Sequence, residues 1–351
     1  MLGQIFDDAA DHTRAKIGGI YALLIAGNIG AWLWALIEFG DRPLLLGTAF
    51  LAYSFGLRHA FDADHIAAID NVTRKLMQEH RRPFAVGFFF SLGHSTIVVA
   101  LAVAVALTTT ALQDHFDTFK AIGGTIGTSV SALFLFAIAA ANMVVLTQVY
   151  RAFQAMRREG EMAEDDVDLL LSKRGFLGRL FRPAFAMIER SWHMYPLGML
   201  FGLGFDTATE VGLLGISAAQ AAQTPSIGSI LVFPALFTAG MSLMDTTDSA
   251  LMVRAYGWAF AKPIRKLYYN MTITFVSVMT ALTVGGVEAL GLIGDKLGLQ
   301  GSFWTFVGLR GGNFGYLGYG IVAFFLASWF VSVLVYRVRG YDRLRVPAAR
   351  G

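Results

Sequence analysis

The chain has 351 residues, 55% of them hydrophobic and only 15% charged, and its formal net charge is just +3. So small a charge gives no reason to expect a nucleic-acid partner, while apolar runs long enough to cross a bilayer recur from end to end. They are too long for barrel strands, which alternate polar and apolar over roughly ten residues. The expected fold class is therefore all-α, a polytopic integral membrane protein embedded in a lipid bilayer.

The periodicity predicts eight transmembrane helices, over about 17–39, 44–69, 84–112, 121–149, 192–217, 227–253, 267–292 and 304–336. Residues 1–16 carry Asp7, Asp8, Asp11, Arg14 and Lys16. The span after them is longer than a signal-peptide core and has no convincing cleavage site, so it reads as a retained first helix. Orientation follows from where the basic residues fall. With both termini in the cytoplasm, inside segments hold Arg14 and Lys16, then Arg74, Lys75, Arg81 and Arg82, then the long 151–190 loop, then Arg254, Lys262, Arg265 and Lys266, then the tail. Only Arg42, Lys120 and Lys296 are left outside.

The 150–191 loop mixes two basic runs with Glu161-Met162-Ala163-Glu164-Asp165-Asp166 and reads as a solvated cytoplasmic linker. It divides one membrane transport domain (1–351) into helices one to four (1–149) and five to eight (192–351). The halves echo each other, as two related four-helix units would. Phe61-Asp62 is matched by Phe205-Asp206, and Phe90-Ser91-Leu92-Gly93-His94-Ser95 by Phe237-Thr238-Ala239-Gly240-Met241-Ser242. With four spans per half the repeat would run parallel.

The chemistry is concentrated on four spans. Arg58-His59-Ala60-Phe61-Asp62-Ala63-Asp64-His65-Ile66 places two imidazoles, two carboxylates and a guanidinium in an apolar segment. On a continuous helix turning about 100° per residue, His59, Asp62 and His65 fall about 60° apart on one face, and Asp64 points away as a partner to a neighbouring helix. The third span adds Ser91, Gly93, His94 and Ser95, with Gly93 allowing another backbone to approach beside the histidine. In the fifth, Asp206 and Glu210 are one turn apart beside Thr209; in the sixth, Ser242, Asp245 and Asp248 recur every three residues. Asn142 in the fourth span suits interhelical hydrogen bonding.

Asp62, Asp64, Asp206, Glu210, Asp245 and Asp248 would each cost about 2.5 to 3.5 kcal/mol facing lipid at a helix centre, together more than a typical folding stability of about 5 to 15 kcal/mol. They must share a polar cavity, and carboxylates with three histidines there call for a cation. Imidazole and carboxylate without thiolate suit nickel, cobalt or zinc; calcium or magnesium would use oxygen alone. A proton relay is the competing intramembrane reading.

Four segments carry a family resemblance: the Arg58 to Ile66 stretch, Ser91-Leu92-Gly93-His94-Ser95, Leu203-Gly204-Phe205-Asp206-Thr207-Ala208-Thr209-Glu210, and Gly240-Met241-Ser242-Leu243-Met244-Asp245-Thr246-Thr247-Asp248. In this order they resemble the signatures of the nickel/cobalt transporter family, the bacterial single-component permeases. The resemblance implies eight transmembrane helices and high-affinity uptake of nickel(II) or cobalt(II) across the cytoplasmic (inner) membrane, the metal being cargo and no cofactor being expected. It also implies that His59, Asp62, Asp64 and His65 are essential, with His94, Asn142, Asp206, Thr207, Thr209, Glu210, Asp245 and Asp248 as ligands or supports. Phe61, where the family varies between Phe and Val, resembles members that take cobalt as well as nickel.

No Gly-rich nucleotide-binding loop occurs, so ATP is not expected as an internal energy source. A divalent-metal exporter is the first rival, although the 151–190 loop lacks the histidines common in such proteins. An intramembrane metallohydrolase is the rival from another class, and the chain has neither a His-Glu-x-x-His pair nor a Gly-x-Ser-x-Gly elbow. In the last two spans, Glu288 is expected near water or headgroups. The Gly308 to Gly315 segment is expected to serve close helix packing, with a part in an external gate as the alternative.

Overall fold

A computed structural model describes residues 6–8, 13–79, 81–107, 113–159, 188–203, 227–259 and 263–305, with scattered helical residues between 319 and 338. All its long elements are helices: α1 (Thr13–Phe39), α2 (Pro43–His59), α3 (Ala63–Gln78), α4 (Val86–Leu107), α5 (Gln113–Glu159), α6 (Met194–Gly202, entered through a 3-10 turn, Ser191–His193), α7 (Ile227–Ala259) and α8 (Pro263–Lys296). Of these, α1, α4, α5, α7 and α8 contain stretches long and apolar enough to cross a membrane. The protein is an all-α, multi-pass membrane protein, and α1 turns Leu23, Ile25, Ile29, Leu33 and Ile37 outward as a lipid-facing helix should.

The main departure from expectation is the second span. It is not one helix over 44–69 but two, α2 and α3, separated at Ala60-Phe61-Asp62. Phe61 N–H donates to Arg58 O and Asp62 N–H to His59 O, the tight i to i−3 bonds that end a helix. Asp62 then turns extended (φ −65°, ψ 145°), and its carbonyl accepts the first bond of α3 from Ile66 N–H. The second helix runs on to Gln78, so Asp70, Asn71, Thr73, Arg74 and Lys75 are buried inside the protein. Arg74 and Lys75, read from the sequence as loop charges, are corrected accordingly. The Lys75 ammonium donates to the carbonyl of Ile188.

Around α3 the other helices close. Ile66, Ile69, Val72 and Leu76 pack with Leu135 and Ile138 of α5 and with Val284 of α8, while α7 crosses α1, α2, α3 and α4. The fourth span is longer than expected. Its helix has 47 residues and continues past Val149 to Glu159, so the expected loop begins as helix and its remainder, 160–187, lies outside the described residues. The α8 helix ends in a reversal at Gly298 (φ +60°), with Leu299 N–H donating to Gly294 O. The start of the eighth span is a short helical turn at 302–305 that folds back so that Trp304 lies against Gly294. Gly308 to Gly315 lies outside the described residues, as does the fifth span beyond Leu203.

Helices that approach this closely need small residues at their contacts. A Cβ at Gly93 of α4 would fall on the carbonyl of Tyr195 in α6, and one at Gly198 of α6 on the carbonyl of Phe90. Between α2 and α7 the same arrangement recurs: Gly240 faces the carbonyl of Tyr53, and Gly56 that of Phe237. Both contacts pair a Tyr-x-x-Gly segment with a Phe-x-x-Gly segment, and Phe90 and Gly93 are the positions matched in sequence by Phe237 and Gly240. Each crosses between the halves. Replacing Gly93 by Ala is expected to lower the thermal unfolding midpoint of the detergent-purified protein by several degrees, because overpacking against backbone costs about 1 to 3 kcal/mol.

Candidate metal centre

The break in the second span builds the site. An aspartate at a helix N-cap normally accepts a hydrogen bond from the first-turn backbone N–H groups, but the Asp62 side chain makes no such bond. Instead Oδ2 lies 2.7 Å from His59 Nδ1. Its other oxygen, Oδ1, is buried without a hydrogen-bond partner among the described residues. The carboxylate is thus taken from local structure and given to the cluster.

Three imidazoles meet there. His59 closes α2, His65 lies in the first turns of α3, and His94 comes from α4. Ring centroids are 4.6 Å apart for His59 and His65, 4.8 Å for His59 and His94, and 4.9 Å for His65 and His94. One nitrogen from each can be chosen so that all three lie within 4.8 Å of one another. His59 Nε2 and His94 Nε2 are 3.2 Å apart. Nitrogens bound about 2.1 Å from one ion must themselves be separated by roughly 3 to 3.5 Å, so this pair is already at ligand spacing.

The remaining nitrogens show what is free to bind. His65 Nδ1 faces the Asp245 carboxylate at 3.3 Å to Oδ2, leaving Nε2 buried and without a hydrogen-bond partner among the described residues. His94 Nδ1 is likewise buried and unpartnered among the described residues. An imidazole whose one nitrogen is held by a carboxylate, with the other directed at a cation, is the usual arrangement at metal sites. Phe90 stands edge-on to His65 and Phe237 lies beside His59, giving the cluster apolar neighbours on two sides. Ser91 donates to Ser242 Oγ at 3.0 Å, tying α4 to α7 just beside it.

Other predicted positions divide clearly. Asp248 lies one turn along α7 from Asp245, and its Oδ2 is buried without a hydrogen-bond partner among the described residues. Asp64, in the first turn of α3, is half-buried, and its charge acts on Glu288 as well as on His65. The Asn142 amide donates to Asn71 Oδ1 at 2.6 Å, and Asn71 in turn bonds to Ala67 O, so Asn142 braces α3 against α5. Phe61 lies tilted against the ring of Tyr319, centroids 5.4 Å apart. Asp206, Thr207, Thr209 and Glu210 lie outside the described residues.

Several buried polar residues were not anticipated. Glu288, expected near water, is 6% exposed and accepts a hydrogen bond from Ser131 at 2.9 Å. Asp70 receives hydroxyl bonds from Tyr256 and from Ser277, the latter at 2.6 Å. Arg74 donates to Thr274 at 3.1 Å. The i, i+4 spacing of Asp70 and Arg74, continuing the polar series from His59, was the available signal, hidden by ending the span at Ile69.

Fold and site together describe a class: a polytopic helical bundle organised around a buried imidazole and carboxylate cluster able to accept a cation. The chain belongs to the NicO family of high-affinity nickel-transport proteins, whose profile matches residues 45–335, and this is a family of transporters rather than enzymes. A High-affinity nickel transport protein of Cupriavidus necator is 61% identical over 348 residues, covering 99% of each chain. The Nickel transporter NixA of Staphylococcus aureus is 49% identical, covering 88% of this chain and 89% of its own. The Cobalt transport protein NhlF of Rhodococcus rhodochrous is 42% identical, covering 83% and 82% respectively. No solved structure matches the chain.

Removing the carboxylate behind a ligating histidine ordinarily weakens metal affinity about 10- to 100-fold. Asp245→Asn is expected to weaken nickel binding to purified protein by that factor, measured by titration calorimetry, with the unfolding midpoint little changed.

Proposed function

We propose that the protein is a secondary permease that takes up nickel(II) and cobalt(II) across the cytoplasmic membrane, with both termini on the cytoplasmic side. The reading rests on one observation above others: the buried imidazoles of His65 and His94 and the partly buried one of His59 converge from three helices, with one nitrogen of each within 4.8 Å of the others. His59, His65, His94 and Asp62 hold the dication. Asp245 orients His65, and Asp248 receives the ion next on its path. Asp206, Thr207, Thr209 and Glu210 of the fifth span supply further oxygen ligands, while Asp64 and Asn142 hold α3 in place.

Imidazole nitrogen with carboxylate oxygen and no thiolate matches nickel and cobalt. The relatives named for nickel and for cobalt transport point the same way. Inward movement needs no nucleotide. A dication gains about 4.6 kcal/mol per 100 mV of membrane potential, enough for roughly thousandfold accumulation at equilibrium. A step in the polypeptide at the binding site also suits this role, because a break within a spanning helix lets non-helical backbone and ion-binding side chains face a cavity rather than lipid.

Cells expressing the protein should accumulate radiolabelled nickel and cobalt, and His65→Ala and Asp62→Ala should lower that accumulation at least tenfold. Unchanged uptake by either variant, once membrane insertion is verified, would sink the proposal. Metal hypersensitivity of cells lacking the protein would instead favour export.

A further inference from the structure

Residues 6–8 form a strap across one end of the bundle, where α1, α4 and α6 start and α3 and α7 end. Phe6 stacks on Phe88 at 5.2 Å between ring centroids and meets Phe89 at 5.3 Å. The backbone carbonyl of Asp8 accepts a hydrogen bond from Arg82 N–H at 2.8 Å. These contacts fasten the strap to the first half of the chain, and the Asp8 carboxylate reaches the second. Its Oδ2 accepts from Ser191 N–H at 2.8 Å and its Oδ1 from Ser191 Oγ at 2.5 Å, with both residues buried.

Ser191 opens the 3-10 turn that leads into α6, and Arg190 before it makes no side-chain capping bond. An aspartate usually caps the helix it directly precedes. Asp8 instead serves a turn that begins 183 residues later. A second polar contact holds the same segment: Lys75, near the end of α3, donates to the carbonyl of Ile188. At this end too, the Arg82 side chain lies over Gly257 of α7, where a Cβ would collide with its guanidinium. The entry to α6 is thereby clasped to the strap and to α3.

This clasp differs in kind from the contact deeper in the bundle. There α6 meets α4 through backbone, Gly198 against the carbonyl of Phe90, whose ring stands edge-on to His65. Close packing of that sort holds position rigidly. Hydrogen bonds at a bundle end part more easily, because water replaces the lost partner. Ser191 and Gly198 are only about two turns apart, so a shift at the entry of α6 is passed to a neighbour of the imidazole cluster. From His65 to Lys75, α3 runs about 15 Å toward the strapped end, which puts the clasp beyond the cluster on that side. A carrier with its ion site inside the bundle has to close one path before it opens the other.

We propose that Asp8 and Ser191 form a latch on the cytoplasmic side of the metal path. Bonded, they hold the entry of α6 against the first half and keep the site closed to the cytoplasm; parted, they let α6 move and the ion leave. The inference rests on the transport reading and on the cytoplasmic N-terminus proposed above. Asp8 takes no part in binding the metal.

The chain has no cysteine, so Asp8→Cys combined with Ser191→Cys supplies a single thiol pair. Purified protein in vesicles, with that pair joined by a short reducible bis-methanethiosulfonate linker, is expected to lose at least tenfold in net entry of radiolabelled nickel and to regain it on reduction. Nickel affinity of the joined protein, measured by calorimetry, should stay within about threefold of wild type. Asp8→Ala, with the clasp open and nothing joined, should still bind and admit nickel. Entry undiminished by the linker overturns the latch, as does failure of the linker to join the two thiols. Loss of nickel binding together with entry in the joined protein, or loss of entry in Asp8→Ala, marks the clasp as a fixed structural tie and overturns it as well. Absence of nickel entry through the wild type overturns the transport reading itself.

Discussion

Everything at the centre of this protein depends on what the Asp62 carboxylate does. It stands where a helix begins, and at that position an aspartate usually satisfies the open backbone N–H groups of the first turn. Here it turns instead to His59 Nδ1. That choice fixes the orientation of the His59 ring and sends Nε2 toward His94. It also leaves the other carboxylate oxygen without a hydrogen-bond partner among the described residues. The interruption of the second span is the structural cost of placing two histidines and a carboxylate in a pocket inside a bilayer. It is tolerable because α3 is buried in protein on nearly all sides and not exposed to hydrocarbon.

The surrounding helices are held close enough to keep that pocket small. Glycines at 56, 93, 198 and 240 bring α2 against α7 and α4 against α6 with backbone nearly touching backbone. Both contacts pair a Tyr-x-x-Gly segment with a Phe-x-x-Gly segment, and both lie next to the site. Gly93 is the residue before His94, and Gly56 is three residues before His59. The positions of the histidines are therefore set by main-chain packing, which has far less freedom than side-chain packing. A cluster built this way has its His59 and His94 nitrogens held 3.2 Å apart by contacts of the backbone.

Much of this was legible from residue types. Charged and imidazole groups in apolar spans are costly enough that His59, Asp62, His65, His94 and Asp245 had to meet, and among the described residues they do. Gly93 was likewise readable as the place where another helix approaches. The break was not legible, because Ala60-Phe61-Asp62 contains neither glycine nor proline and its helical pattern continues on both sides. A continuous helix and a broken one put His59, Asp62 and His65 near each other by different routes, so the correct grouping followed from an incorrect backbone. Glu288 and Arg74 were misplaced for a related reason. A charge near the predicted end of a span reads as solvated until the neighbouring helices are known to cover it.

By itself the sequence determined that this is an all-α membrane protein and which residue types must gather inside it, since hydrocarbon admits neither open backbone nor stray carboxylates. It also carried the family's signatures in order. Only the tertiary structure decided the partners: Asp245 behind His65, Asn142 bracing Asn71 instead of standing beside the imidazoles, and Asp70 held by hydroxyls from two other helices. Those pairings join residues as many as 207 positions apart. They depend on crossing points set by shape and close packing, which no local pattern along the chain encodes.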